Sequence, residues 1–122
     1  MIKSRSLLVV EDDLAVREAI TRVLETEDYQ VSSAVSSCEA IRQFNEKQID
    51  IVLLDLSLGP EQGWDIFHAL KKRRPDLPII VTSARADELA HSSAARASGV
   101  LEKPFDVSLL LTLLKQVGGS AR

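Results

Sequence analysis

The chain has 122 residues, 45% of them hydrophobic, 27% charged and 4% aromatic, with a formal net charge of −3. That length argues for one domain with a proper core, and the composition excludes wholesale disorder and collagen-like or low-complexity structure. The acidic balance speaks against a domain whose main task is gripping nucleic acid. The single cysteine, Cys38, can form no internal disulfide and cannot anchor a zinc site, which fits a reducing compartment. The longest apolar runs, at 7–10, 51–54 and 109–111, fall far short of the ~20 residues a membrane-spanning helix needs. Lys3 and Arg5 precede the first run as in a signal peptide, but the run is too short and Glu11-Asp12-Asp13 closes it at once. The expectation is a cytoplasmic protein without a membrane segment.

Two hydrophobic periods alternate along the chain. Leu7–Val10 reads as a strand, and Val16, Ala19, Ile20, Val23 and Leu24 then recur on one helix face. Val31–Val35 reads as a weaker strand. Ser36 and Glu39 form a capping box that opens a helix with Ala40, Ile41 and Phe44 inward. Ile51–Leu54 is a third strand. Beyond Gly59-Pro60 and Gly63 comes a helix carrying Ile66, Phe67 and Leu70, ended by Lys71–Arg74 and Pro75. Leu77–Val81 is a fourth strand, and an alanine-rich helix over about 87–97 is stopped by Gly99. Val100-Leu101 is a short fifth strand. A last helix over about 106–117 places Leu110, Leu113, Leu114 and Val117 on one face.

Five βα units with strands lacking polar alternation predict an α/β fold, a five-stranded parallel sheet covered by helices on both faces. Right-handed crossovers favour the doubly wound, flavodoxin-like strand order 2-1-3-4-5. We expect one domain over 1–122, with its core at about 6–117. The Gly-Gly-Ser-Ala-Arg end reads as a frayed tail or the start of a linker.

In such sheets the functional crevice lies beyond the carboxyl ends of the strands. There the sequence places Glu11, Asp12 and Asp13 after the first strand and Asp55 after the third. Thr82 and Ser83 follow the fourth, and Glu102, Lys103 and Pro104 the fifth. Adjacent strands lie about 4.8 Å apart, so these groups can share one pocket. Crowded carboxylates repel unless a cation lies between them, and oxygen-only ligands suit Mg²⁺, with Mn²⁺ or Ca²⁺ as alternatives. Such a site can hold a phosphoryl group. The metal and Lys103 would neutralise its oxygens, Ser83 would donate a hydrogen bond, and a carboxylate would attack phosphorus to form an acyl phosphate. Asp55, presented by four apolar strand residues, is the candidate nucleophile.

Leu-Leu-Val-Val-Glu-Asp-Asp at 7–13, Ile-Val-Leu-Leu-Asp at 51–55, Val-Thr-Ser-Ala at 81–84 and Glu-Lys-Pro-Phe at 102–105 together resemble the response-regulator receiver domain of two-component signalling. The resemblance runs from about Ser6 to Val117. It implies that Asp55 accepts phosphate from a phosphohistidine on a sensor kinase or phosphotransfer protein. It implies that Asp12 ligates Mg²⁺ directly, that Glu11 acts through water, and that the Ser57 backbone carbonyl joins Asp55 in the ligand set. Ser83 becomes the switch hydroxyl and Lys103 the lysine that pairs with phosphate. Asp13 is expected at the entry of the first helix. The family's aromatic residue three before the lysine is replaced by Val100, and its proline four after the aspartate by Gly59 with Pro60 next. A switch here would then work through Ser83, backbone shifts or the 100–105 face.

The implied function is a phosphorylation-controlled switch, bacterial in type. It catalyses its own phosphorylation and dephosphorylation rather than turning over a separate substrate. Its face of fourth helix, fifth strand and fifth helix would govern an output domain or partner. Leu109, Leu111 and Leu113 leave apolar surface beside the core stripe, as a homodimer or partner face at 100–117 or as core packing. Two other functions compete. A Mg²⁺-dependent phosphohydrolase of the haloacid-dehalogenase kind needs an aspartate two residues after the nucleophile, and Ser57 stands there. A phosphorylation-independent scaffold would leave the acid cluster without a task. Other conspicuous residues read as structural: His68 and His91 exposed on helices, Cys38 a buried or inert thiol, Trp64 packed over the third helix, Lys71–Arg74 a solvated helix end.

Overall fold

Strands that are apolar on both faces must be covered on both faces, and this chain covers them with two helical layers. The computed structural model describes residues 5–58, 60–90 and 96–119. In chain order the elements are β1 (Ser6–Val10), α1 (Leu14–Thr26), β2 (Gln30–Ala34), α2 (Ser37–Glu46) and β3 (Ile51–Asp55). A 3₁₀ turn at Leu56–Leu58 leads into α3 (Pro60–Arg73). Then come β4 (Ile79–Ser83), α4 (Ala86–Leu89), β5 (Gly99–Glu102) and α5 (Val107–Gly119). All strand pairs are parallel and the order is β2-β1-β3-β4-β5, as the βα alternation predicts.

The period of two along each strand divides the core. Leu8 and Val10 face one layer with Val52, Leu54, Ile79 and Val81, where Ile66, Phe67 and Leu70 of α3 and Ala40 of α2 close over them. Leu7 and Val9 face the other with Ile51, Leu53 and Ile80, covered by Ile20 and Leu24 of α1 and Leu110 and Leu114 of α5. The central strands are buried along their length except for the partly exposed Ser6, whereas β2 and β5, at the edges, are partly open.

Several local expectations are corrected. Ala19 is exposed, because the α1 stripe centres on Ile20 and Leu24 and position 19 lies off its edge. Ser36 caps α2 through Glu39 N–H at 3.2 Å, but the Glu39 carboxylate reaches Val35 N–H at 2.8 Å rather than that of Ser36. The box therefore closes one residue early. Leu77 is buried but precedes β4, which starts at Ile79. Gly99 opens β5, one residue ahead of the expected strand, and α4 is described over Ala86–Leu89. The centre of the expected helix over 87–97, with His91, lies outside the described residues, as do Gly59 and the end of the tail. Cys38 is exposed.

The α3 end is more than a solvated charge run. Lys71 Nζ donates to the carbonyls of Leu77 at 2.7 Å and Pro75 at 3.4 Å, and Arg74 donates to that of Ile49 at 2.7 Å. These contacts tie the segments that enter β3 and β4. At the far end of α1, Asp28 takes a positive φ of 69° and Tyr29 N–H returns to Leu24 C=O at 3.1 Å, which terminates the helix.

At Gly63, α3 comes close against the turn below it. A Cβ there would lie 2.7 Å from Leu56 Cα and 3.1 Å from its carbonyl oxygen. Gly63→Ala gains helix propensity, but the obstacle is backbone and cannot rotate away. A net destabilisation of about 1–2 kcal/mol is expected, read as a lower urea midpoint at unchanged slope. A midpoint at or above the wild type would mean that the turn yields.

Candidate functional site

Four strand ends and one turn build the site. At the end of β1, Glu11 N–H continues the ladder to Ala34 C=O at 3.0 Å, which fixes the backbone and leaves the Glu11 side chain buried at the sheet edge. Asp12, next along, is exposed. Asp13 is the N-cap of α1, its carboxylate accepting from Val16 N–H at 3.1 Å, as expected. Arg17, one turn into α1, donates to the Glu11 carbonyl at 3.1 Å and holds the bend between strand and helix.

Asp55 ends β3 and is only 2% exposed. The 3₁₀ turn folds Ser57 back onto it, so that Asp55 Oδ1 accepts from Ser57 N–H at 2.9 Å and from Ser57 Oγ at 2.6 Å. The other oxygen, Oδ2, accepts from Lys103 Nζ at 3.0 Å. Lys103 is aimed by the sheet itself: its N–H extends the β4–β5 ladder to Ser83 C=O at 2.8 Å. Its ammonium bridges Asp55 and Glu11 Oε1, each at 3.0 Å. Glu11 Oε2 accepts from Asp13 N–H at 3.1 Å.

Ser83 is fully buried at the end of β4, where its hydroxyl accepts from Arg85 N–H at 3.0 Å. Thr82 pairs with Asp55 in the strand register. Val100 is 41% exposed on β5 and Leu109 is 49% exposed on α5, whereas Leu111, Leu113 and Val117 pack against the core. Much of the apolar surface expected at 100–117 is therefore core packing. His68 is exposed, and Trp64 is buried over α3, its ring edge-on to Phe67 at 5.2 Å.

Burial and mutual repulsion set the electrostatics. Burial first, then the neighbouring Asp55, pushes the Glu11 carboxyl up to about 7. Burial also works against the Asp55 carboxylate, but hydrogen bonds from the Ser57 hydroxyl, the Glu11 side chain, the Ser57 N–H and Lys103 outweigh it and hold Asp55 below the usual range. Lys103 is likewise opposed by burial and held above its usual value by Glu11 and Asp55. With no cation bound, then, Asp55 stays ionised and Glu11 is the member of the pair that takes up a proton.

Oxygens of Glu11, Asp12 and Asp55 all lie within 4.8 Å of one another. Three carboxylates beside one ammonium are an all-oxygen, net-negative set with one exposed member, and such a donor set fits a hard divalent cation such as Mg²⁺. Sequence reasoning found Glu11, Asp12, Asp55 and Lys103 as strand ends. It missed the Ser57 hydroxyl, having marked only the backbone carbonyl of that residue, and it missed Arg17. A serine two residues after a buried aspartate is a signal for such a turn, but a weak one.

A sheet in the order 2-1-3-4-5, with an acid pocket and a bridging lysine at its carboxyl edge, defines a doubly wound α/β domain of the flavodoxin-like class. The model of the response regulator receiver domain matches residues 7–115, and the chain belongs to that family. It is a receiver domain of two-component signalling.

Curated relatives include the DNA-binding transcriptional regulator NtrC of Bradyrhizobium sp. (strain RP501 Parasponia), 32% identical over 89% of this chain and 23% of its own length. The transcriptional regulatory protein PrrA of Mycobacterium leprae is 32% identical over 93% of this chain and 50% of its length. The chain thus spans half or less of these relatives. The response regulator TrrA of Thermotoga maritima, solved in complex with Mg(2+)-BeF, superposes with a TM-score of 0.85 at 26% identity, covering 93% of this chain and 98% of that one. Among the described residues no helix is long and apolar enough to cross a membrane.

Proposed function

We propose that Asp55 is the phosphoacceptor of a signalling switch. An Asp55 carboxylate oxygen attacks the phosphorus of a phosphohistidine on a sensor kinase or phosphotransfer protein. A P–O bond forms as the N–P bond breaks, and the imidazole leaves with the electron pair. The observation that carries this reading is the Lys103 ammonium, 3.0 Å from Glu11 and 3.0 Å from Asp55, which ends the buried strand β3. It adds to the Ser57 hydrogen bonds that hold the nucleophile ionised and can turn to the phosphoryl oxygens as charge develops there. Mg²⁺, held by Asp12, Asp55 and the Ser57 carbonyl with Glu11 acting through water, supplies neutralisation of the phosphoryl oxygens when bound; Mn²⁺ suits the same ligands.

Ser83, which ends β4 one residue beyond Thr82, the register partner of Asp55, is the hydroxyl that would turn toward a phosphoryl oxygen, giving up the Arg85 N–H. That exchange would alter the surface formed by α4, β5 and α5 and so bias an output domain or partner. With Val100 at the exposed β5 position, the change is carried by backbone and by Ser83 rather than by a ring. The domain takes 1–122 as one unit, cytoplasmic, and modifies itself instead of turning over a substrate. A phosphohydrolase is disfavoured because Ser57, two residues after the nucleophile, is a poor general acid and spends its hydroxyl on Asp55.

The test is intact mass after incubation with acetyl phosphate. One added phosphoryl group is expected on the wild type with Mg²⁺, none with EDTA and none on Asp55→Asn. Uptake by Asp55→Asn, or none by the wild type, would overturn the assignment.

A further inference from the structure

Resting on the reading of Asp55 as a metal-assisted phosphoacceptor, we infer that the Ser57 hydroxyl holds the site against its cation, so that losing it strengthens Mg²⁺ binding. The two oxygens of Asp55 are committed differently. Oδ2 faces the Lys103 ammonium at 3.0 Å, and that ammonium also covers Glu11 Oε1. A dication brought to that side meets a like charge. Asp12 stands outside the pair that Lys103 bridges, and it is exposed. The oxygen of Asp55 that a cation can share with Asp12 without facing the ammonium is therefore Oδ1.

Oδ1 already carries two donors, both from Ser57: the N–H at 2.9 Å and the hydroxyl at 2.6 Å. The backbone N–H belongs to the turn and survives any substitution. The hydroxyl is another matter. Its proton points into the oxygen that the cation needs, and a hydrogen bond at 2.6 Å to an ionised carboxylate is among the stronger kinds. Cation entry requires that proton to rotate away. Ser57 is exposed, so in the displaced state its hydroxyl finds water, and the penalty is the difference between a charge-assisted hydrogen bond and an ordinary hydrated one. The residue thus opposes loading with its side chain while offering its backbone carbonyl to the same ion.

The expected result is that Ser57→Ala binds Mg²⁺ about tenfold more tightly than the wild type in calorimetric titration with MgCl₂ of the full chain. Ser57→Thr, which keeps the hydroxyl, should match the wild type. Asp12→Asn should weaken binding in either background. Equal or weaker binding by Ser57→Ala, in a variant whose melting temperature in EDTA matches the wild type, would overturn the inference and leave the phosphoacceptor reading standing. If the wild type itself binds no Mg²⁺ at millimolar concentration, both readings fall together. A gain shared by Ser57→Thr would assign the effect to turn geometry and would also overturn it.

Discussion

Lys103→Met is expected to slow phosphoryl uptake from acetyl phosphate by about 10²- to 10³-fold while leaving Mg²⁺ bound at least as tightly as before. The two effects separate because the ammonium does opposite things to the two charges it meets. Toward a phosphoryl group, on the proposed reading, it would supply a preorganised positive charge beside the buried Asp55 carboxylate, and the methionine supplies none. Toward a dication it is a repulsive neighbour 3.0 Å from two of the candidate ligands. Methionine keeps the unbranched stem, so the packing under the side chain changes little. The measurement pairs the rate of mass gain with a Mg²⁺ titration. Loss of both together would mean that Lys103 holds the site in shape rather than acting on phosphate.

The same variant has a stability signature. Glu11 and Asp55 are 3% and 2% exposed, and Lys103 is the cation that bridges them. Removing one partner of a buried ionic cluster costs about 3–5 kcal/mol when nothing relieves it. Here Glu11 relieves it, because its carboxyl is already pushed up to about 7 and can take up a proton. The loss in EDTA should fall below that range, and millimolar Mg²⁺ should restore most of it.

The largest stability loss is expected at Phe67→Ala, about 3–5 kcal/mol with a melting temperature lower by some 12–20 °C. Phe67 is fully buried in the layer beneath α2 and α3. It meets the Trp64 ring edge-on at 5.2 Å, and Lys71 lies 6.0 Å from its centroid. Alanine leaves a cavity under a sheet whose strands cannot move inward without breaking their ladders, so collapse recovers little. Denaturant unfolding followed by Trp64 fluorescence reads the loss. A change under about 1.5 kcal/mol would show that α3 settles into the gap.

The sheet was legible because β1, β3 and β4 each carry an unbroken apolar run, and a run buried on both faces admits few other readings. The edges were harder. Only Val100 and Leu101 of the four residues in β5 carry an apolar signal. After β4 the described residues show α4 over Ala86–Leu89, and the centre of the helix expected over 87–97 lies outside them. Ala19 was misplaced because periodicity gives a stripe and leaves its margins undefined. Among site residues, strand ends brought Glu11, Asp55 and Lys103 into view. The Ser57 hydroxyl depends on a turn that only the folded chain reveals, and the Lys103 bridge joins residues 92 and 48 positions apart.

Lys71 and Arg74 clamp the carbonyls of Leu77 and Ile49, just ahead of β4 and β3, at the rim of the sheet farthest from the acid pocket. That rim is thereby latched through backbone carbonyls, whereas at the other the Lys103 bridge rests on the very carboxylates that a new charge would disturb. A charge arriving at Asp55 cannot be relieved by sliding β3 or β4 lengthwise, because both are moored at their origins. The adjustment is confined to the turns that leave their carboxyl ends, where it becomes visible to whatever lies against the outside of the molecule.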